Sequence, residues 1–273
     1  MSKFKKIMSY KSRFRIWRLL ADNQKLLIES RDTESKDVFF SVADAESGDL
    51  KLEDFQTEEK SWTGIEKFHK GIIYFHKYIK PDLPDHISIS AFDTETGKYL
   101  WIQEDLSFCS FEGDFILASG LKNGIREYFK INPYNGEILS RIPAEEINAL
   151  SNEKVGEEEV DNYFFPSLFN PDDVFDDYAR ETLENVLNSE STMGAVEYII
   201  YKDLLLFNYF RKENNLLSNC FHIYDLKIEK EIYDNILEEE LEKPYLDSFF
   251  IKDDLLYLLK GKNKVIIFRY KQK

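Results

Sequence analysis

The residues of this 273-residue chain that could do chemistry are few, and the most concentrated of them are acids. Asp172 and Asp176 stand at the i,i+4 spacing of one helix face, as do Asp173 and Asp177, and each pair could share a divalent cation. The four lack the alternating acids and central glycine of a calcium-binding loop. We therefore expect these carboxylates to supply favourable charge at the start of a helix.

The chain has four histidines and two cysteines, and no known catalytic motif surrounds them. His69 and His76 flank a predicted hairpin, but no third metal ligand is evident, so both are expected to be surface or core residues. The nucleophile elbow, the HExxH zinc motif, the P-loop and the Rossmann glycine signature are absent from the sequence. We predict no metal site and no cofactor, leave the catalytic residues unknown, and lean against an enzyme.

The elements that would position a site follow from a repeated strand–turn–strand unit. Its best copy, AFDTETGKYLW, places Asp93 four residues before Gly97. An Asp or Asn at a strand end can accept hydrogen bonds from backbone N–H groups just ahead of it, and glycine supplies the positive φ that reverses the chain. These residues are therefore predicted to form turns. The other copies are Asp44 with Gly48, Asn132 with Gly136, and Asp225 with Glu229.

The spacing of the turn residues indicates the architecture. Successive copies are 49, 39 and 93 residues apart. Propeller blades repeat every ~40–50 residues, so the last interval holds one blade and an insertion of similar size. Short strands at this period favour radial repetition of four-stranded antiparallel sheets.

The string FDTETGKYLW resembles the quinoprotein-like (PQQ-like) β-propeller repeat. The resemblance rests on five positions: Asp93, Thr96, Gly97, Lys98 and Trp101. It is partial at Asp44/Gly48 and at Asn132/Gly136. It implies a blade and no particular activity. The whole chain is also similar to uncharacterised bacterial single-domain propellers. A quinone enzyme of this type would be expected to have more blades, a calcium site and an export signal, and none of these is evident.

We predict an all-β fold, a five-bladed propeller of four-stranded antiparallel blades that occupies residues 1–273 as one domain. The last blade has three evident strands, and Ser2–Tyr10 is spare, so this N-terminal segment is expected to supply the fourth strand and close the ring. Residues 143–194 are an insertion between blades three and four. A sixth blade hidden in this insertion is the alternative.

The insertion carries most of the charge of the chain. It contains 14 Asp or Glu against 2 Lys or Arg, which is −12 of the total of −15. Its segment from Asn170 reads as a helix, with Asn170 as N-cap and Pro171 at the first position. The insertion could dock a basic protein through Tyr163, Phe164 and Phe165. The alternatives are a solvated segment that keeps the protein soluble, and a cover in which those rings pack over the propeller. A third is a contact within the molecule between the insertion and the basic N-terminal segment, which has seven Lys or Arg by Arg18.

The beginnings of the innermost strands should line the mouth of a central funnel. This reasoning selects Arg13, Trp62 and Asp247 as ligand-binding candidates, because an Arg, an Asp and an aromatic ring could hold a small polar ligand. Ordinary packing is the alternative. The loop Lys80–His86 is long, and its prolines restrict its conformation. Loops on a rigid scaffold commonly contain the residues that bind a ligand or partner.

Composition bounds the setting of the protein. The net charge of −15 argues against nonspecific nucleic-acid binding. The two cysteines, Cys109 and Cys220, are expected to be buried and reduced. No membrane-length apolar run or leader peptide is recognisable, which predicts a cytoplasmic protein. The leading hypothesis is a non-enzymatic binding or scaffold propeller. The alternative is a small-molecule or carbohydrate site in the funnel, with hydrolase or lyase activity. The oligomeric state is not predicted.

Overall fold

Antiparallel β-sheets account for nearly all of the regular structure, which confirms the predicted all-β class. The structure is a computed structural model that describes residues 3–79, 85–143, 145–147, 162–189 and 191–271. It contains one α-helix with described bounds, α1 (Asp177–Leu187), and one 3-10 turn at Pro171–Asp173. Among the described residues, no helix has the length and apolar character needed to cross a bilayer.

The strands follow in chain order. They are β1 (Phe4–Lys11), β2 (Arg15–Asp22), β3 (Lys25–Arg31), β4 (Val38–Asp44), β5 (Leu50–Phe55), β6 (Thr63–His69), β7 (Ile72–Tyr78), β8 (His86–Asp93), β9 (Lys98–Gln103), β10 (Ser107–Glu112), β11 (Phe115–Lys122), β12 (Ile125–Ile131), β13 (Ile138–Ile142), β14 (Tyr163–Phe164), β15 (Ser167–Leu168), β16 (Thr192–Tyr201), β17 (Leu204–Glu213), β18 (Leu216–Asp225), β19 (Lys230–Leu241), β20 (Phe249–Lys252), β21 (Leu255–Lys260) and β22 (Lys264–Tyr270).

The chain divides into two compact units. The first comprises residues 14–160, and its described part holds three four-stranded sheets, β2–β5, β6–β9 and β10–β13, each with strands in chain order. Strand β7 shows how they pack. Ile73 and Phe75 on one face join the core shared with β2–β5, whereas Ile72 and Tyr74 on the other join the core shared with β10–β13. Both faces of the middle sheet are therefore buried, which explains its continuous apolar runs.

The second unit comprises residues 1–13 and 161–273 and, in its described part, holds two five-stranded sheets. One has the order β1-β22-β21-β20-β14 and the other β15-β16-β17-β18-β19. The N-terminal strand β1 pairs antiparallel with β22, from Phe4 opposite Tyr270 to Lys11 opposite Lys264. The number of blades, the closure of a ring and the single-domain organisation stay predictions.

The turn chemistry predicted for the repeated unit is present. Asp44 Oδ1 accepts hydrogen bonds from the backbone N–H groups of Glu46 (2.8 Å) and Ser47 (3.0 Å), and Gly48 has φ of 80°. The same arrangement recurs at Asp93 with Gly97 and at Asn132 with Gly136. In the fourth copy, Glu229 adopts φ of 49° in place of a glycine.

The helix predicted to start at Asn170 is wrong in its N-terminal bound. Asn170 caps only the 3-10 turn at Pro171–Asp173. The chain then becomes extended at Val174, with φ of −109° and ψ of 110°, because this side chain is buried in a core cluster. Helix α1 starts three residues later, and its N-cap is Asp176, whose Oδ1 accepts from the N–H of Ala179 at 2.8 Å.

Both cysteines are free thiols, and only Cys220 is buried as predicted. Cys109 is exposed. The pairing of β10 with β11 shifts register between Phe108 and Ser110, so Cys109 is the extra residue of a bulge. A bulge breaks the inward–outward alternation on which the prediction of burial depended.

Candidate functional site

Three side chains with ligand chemistry converge in the middle sheet of the 14–160 unit: Glu66, His76 and His86. They come from three consecutive strands, β6, β7 and β8. One nitrogen or carboxylate oxygen from each lies within 4.8 Å of the others. Among the described residues, this is the one group of three or more such side chains close enough to hold a metal ion.

Two β-bulges bring the cluster together. The register of β6 on β7 shifts between Ile65 and Lys67, so Glu66 is the extra residue. The register of β7 on β8 shifts between Phe75 and Lys77, close to Ser88, which is buried and has φ of 64°. Bulges re-aim side chains and are common beside functional sites, and a buried non-glycine residue at positive φ carries backbone strain.

The two imidazoles share one carboxylate oxygen. His86 Nδ1 lies 2.8 Å from Glu66 Oε1 and is hydrogen-bonded to it. His76 Nδ1 lies 2.9 Å from the same oxygen, without the alignment of a hydrogen bond. The rings stack with centroids 3.5 Å apart and planes 9° from parallel. Tyr78 packs edge-on against both rings, at 4.9 Å and 5.1 Å.

Burial differs sharply across the cluster. His76 is 3% exposed, Glu66 is nearly buried, and the His86 side chain is about one-third exposed. Burial alone would raise the pKa of Glu66, but the close contacts of its carboxylate with the His76 and His86 rings outweigh burial and lower that pKa. Glu66 is therefore a carboxylate at neutral pH, able to accept protons or bind a cation.

Sequence reasoning missed two of these three residues. It paired His76 with His69, but the structure does not bring them together, because His69 packs on Phe111, with ring centroids 4.8 Å apart. The partner of His76 is His86, at the end of the loop that was singled out for its prolines; residues 80–84 of that loop lie outside the described residues. The sequence carries no signal for Glu66, because it reaches the cluster only as the extra residue of a bulge.

The three predicted funnel residues fall in different units. Trp62 lies in the 14–160 unit, is 41% exposed, and accepts a hydrogen bond on its carbonyl oxygen from the backbone N–H of Tyr78 at 3.0 Å. It therefore borders the histidine cluster through the backbone. Arg13 and Asp247 belong to the other unit. Arg13 is exposed.

Asp247 is hydrogen-bonded to a buried polar network in the second unit. It adopts φ of 64°, and its backbone N–H donates to Glu197 Oε1 at 3.0 Å. Glu197, Asn208 and Asn219 are all 2% exposed or less. Asn208 Nδ2 donates to Asn219 Oδ1 at 3.2 Å. Burial raises the pKa of Glu197 more than the hydrogen bond from the backbone N–H of Asp247 lowers it.

The aromatic residues proposed as partner anchors pack partly within the second unit. Tyr163 and Phe164 form β14, which pairs with Lys252 and Ile251 of β20. Tyr163 and Phe165 stack with ring centroids 5.3 Å apart and planes 3° from parallel. Phe164 stays 40% exposed and Phe165 63% exposed. These rings therefore combine a packing role with an accessible face.

A more exposed ring lies further along the insertion. Phe175 is 93% exposed and stands between Asp172 and Asp173 on one side and Asp176 and Asp177 on the other. Sequence analysis assigned these acids to the helix start and gave the ring between them no role. An aromatic residue flanked on both sides by acid pairs was the available signal.

Comparison with known proteins identifies no function. A family model described as a domain of unknown function (DUF4905) matches residues 20–101, a span that includes Glu66, His76 and His86. No curated protein matches the chain. The quinoprotein-like repeat stays a prediction.

The chain is similar to solved structures that include β-propellers. One is the Dos1 propeller, with a TM-score of 0.27, 12% identity, and coverage of 90% of this chain and 50% of that one. The propeller domain of a Pyrococcus furiosus trilobed protease has a TM-score of 0.31, 9% identity and coverages of 96% and 70%. A Pyrococcus horikoshii acylaminoacyl peptidase has a TM-score of 0.30, 11% identity and coverages of 96% and 39%. This chain spans half or less of the first and third of these proteins.

Proposed function

We propose that this protein is a non-enzymatic cytoplasmic binding module, that its five described sheets are blades of a propeller, and that the acidic insertion is its contact surface. One observation carries the proposal: Phe175 is a large apolar side chain that is 93% exposed. Single exposed apolar residues are ordinary on protein surfaces. An aromatic side chain with almost its whole surface exposed is different, because aromatic residues are the type that most often anchors protein interfaces.

The backbone on both sides of Phe175 is fixed. Val174 is 2% exposed, and its carbonyl oxygen accepts a hydrogen bond from Arg180 Nη1 at 3.1 Å. Asp176 caps helix α1 through the N–H of Ala179. A ring presented from a rigid backbone loses little conformational entropy on binding, so its burial contributes more of its area to affinity.

The surrounding charge selects the partner. Asp172, Asp173, Asp176 and Asp177 are all exposed, and the insertion as a whole carries −12. A complementary partner has an apolar cup for the ring and a rim of Lys or Arg. The acids would accelerate association and exclude acidic proteins, while the ring would slow dissociation.

The test is an affinity capture from host lysate with intact protein, Phe175→Ala and Ile228→Ala. Ile228 is a matched control because it is 62% exposed and lies outside the insertion. We expect a basic protein to be retained by the intact protein and by the Ile228 variant, to fall at least about tenfold with Phe175→Ala, and to weaken with added salt. If the amount of captured protein changes neither with Phe175→Ala nor with added salt, the insertion is not the contact surface.

A second candidate, a small polar ligand, is favoured by a depression of about 350 Å³ in the unit of residues 1–13 and 161–273. Its lining mixes rings with polar groups: Asn162, Phe164, Ile200, Tyr201, Lys202 and Asp253. The test measures the rate at which an acylating reagent modifies Lys202. A mono- or disaccharide that slows this rate in a saturable way would support the site. A full panel of sugars that leaves the acylation rate unchanged would exclude carbohydrate.

A further inference from the structure

We infer that Glu66, His76 and His86 form a binding site for one divalent first-row metal ion of the zinc type. The inference is independent of the proposed contact surface and departs from the sequence-based expectation of no metal site. Two imidazoles and one carboxylate are a donor set suited to Zn²⁺ and its neighbours, in contrast to the all-oxygen sets of Ca²⁺ and Mg²⁺.

His76 supplies the observation that points to a ligand. It is 3% exposed, and neither of its ring nitrogens has a hydrogen-bond partner among the described residues. Buried polar groups in proteins are nearly always satisfied, because an unpaired one loses its hydration without compensation. A metal ion at Nδ1 of His76, which faces Glu66 Oε1 at 2.9 Å, would give that nitrogen a ligand bond in place of the misaligned contact.

The distances between the nitrogen and oxygen atoms of the cluster are slightly shorter than those between two ligands of one zinc ion. His76 Nδ1 and His86 Nδ1 lie 2.9 Å and 2.8 Å from Glu66 Oε1. Two ligand atoms on a tetrahedral zinc ion are roughly 3.4 Å apart, since each lies about 2.0–2.2 Å from the metal. The two nitrogen–oxygen separations therefore need to grow by only about half an ångström.

One ring must turn for the ion to enter. An imidazole nitrogen coordinates in the plane of its ring, and two parallel stacked rings cannot both point at one ion. His86 is the ring that moves, because it is about one-third exposed and opens β8, whereas His76 is enclosed. The exposed side of His86 also provides the entry path and leaves a position on the metal for water or a ligand.

Hydrogen bonds from neighbouring side chains hold the backbone of both histidines in place. Thr63 Oγ1 donates to the carbonyl oxygen of His76 at 3.0 Å, and Ser107 Oγ donates to that of His86 at 2.7 Å. Tyr78 packs edge-on against both rings. A cluster braced by its supporting residues binds metal more tightly, because less freedom is lost on coordination.

The test uses the full chain, stripped with a chelator and titrated with Zn²⁺ by calorimetry in excess Mg²⁺, which occupies the many surface carboxylates. Co²⁺ replaces Zn²⁺ in a parallel titration followed by visible absorption. The variant is His86→Gln. Its matched control is His222→Gln, because His222 also contacts a glutamate, Glu231, but lies outside the cluster. Circular dichroism and melting curves establish that each variant is folded.

We expect one Zn²⁺ to bind per chain. Bound Co²⁺ should show a visible absorption band typical of coordination by nitrogen and oxygen ligands. His86→Gln should weaken Zn²⁺ binding by more than the roughly 10–100-fold typical of losing a residue that only supports a ligand, and should abolish the Co²⁺ band. His222→Gln should change neither. Absence of stoichiometric binding by the intact protein, or equal affinities for the two variants, would overturn the metal site and leave a cluster that shares only protons.

Discussion

Gly64 and His76 face each other across β6 and β7, and there is no room for a side chain between them. A Cβ at Gly64 would lie 2.7 Å from both Cε1 and Nε2 of His76. Since His76 is 3% exposed and stacked on His86, its ring cannot swing away. The glycine therefore makes the space that the histidine occupies.

Gly64→Ala should accordingly lower the free energy of unfolding by about 1–3 kcal/mol, the usual cost of overpacking a core. Urea denaturation measures this change. The double variant with His76→Ala is the control, because removing the ring removes the clash, and Gly64→Ala should then cost little. A cost that persists in the His76→Ala background would show that the contact is not the cause.

Glu197 gives a prediction about pH. Its Oε2 and the Oδ1 of Asn208 are both buried acceptors without a donor among the described residues, and the pKa of Glu197 is raised. The folded state therefore binds a proton that the unfolded chain releases at lower pH. The stability from this group is full below the ordinary glutamate pKa and is lost as pH rises through the raised folded pKa.

Glu197→Gln should therefore stabilise the protein at pH 7–8 by about 1 kcal/mol and have little effect below about pH 4, because the amide can donate to Asn208 without carrying a charge. Chemical denaturation across this pH range measures the difference. The exposed Glu181→Gln serves as control. A variant that is less stable than the parent at pH 8 would contradict the direction of the pKa shift.

Lys3 forms ion pairs that join the N-terminal segment to the rest of the second unit. It forms ion pairs with Asp203 and, at 2.8 Å, with Asp225. Burial would raise the pKa of Asp203, but hydrogen bonds from Lys3, Lys227 and Tyr270 lower it. The pKa of Lys3 is raised because its bonds to the two carboxylates outweigh burial. The stabilisation is therefore lost as pH falls below the ordinary Asp range and as pH rises above the ordinary Lys range.

Lys3→Met should lower stability at pH 7 by ~1–2 kcal/mol, between the values for an exposed ion pair and a buried charged hydrogen bond. The difference in stability from the parent should narrow as pH falls below the ordinary Asp range, since protonation of Asp203 in the folded state removes its ion pair with Lys3. Melting curves at several pH values test both statements. Lys5→Met is the control, because Lys5 lies two residues further along the chain at an exposed position of β1. A gap that stays constant with pH would exclude the ion pairs as its origin.

The turns were predictable from sequence because their chemistry is local. Asp44 and Gly48 need only each other and the intervening N–H groups, so spacing alone identifies them. The tryptophan of the resembling repeat also acquires a physical role: Trp101 Nε1 donates to the carbonyl oxygen of Pro133 at 2.9 Å, and its ring lies over Gly136 of the next turn. The motif thus links consecutive sheets of the 14–160 unit.

The histidine cluster was not predictable, because it depends on two bulges. Alternation along β6 and β8 gives the wrong facing for residues beyond a bulge, and nothing in the sequence marks Glu66 or Ser88 as extra residues. The exposure of Phe175 was not predicted for another reason. The pattern from Asn170 predicted a continuous helix, whereas the chain is extended at Val174, and the burial of Val174 turns Phe175 outward.

The central claim is that Phe175 contacts a basic partner. The most direct measurement replaces Phe175 with a photo-crosslinking phenylalanine analogue in the living host and identifies the adducts by mass spectrometry, with the analogue at Ile228 as control. The account predicts one major adduct at position 175, a basic protein, that is absent at position 228. The adduct should also be lost when Asp172, Asp173 and Asp177 are changed to Asn, with the capping Asp176 kept. The same adducts at both positions, or an adduct unaffected by the loss of the acids, would contradict it.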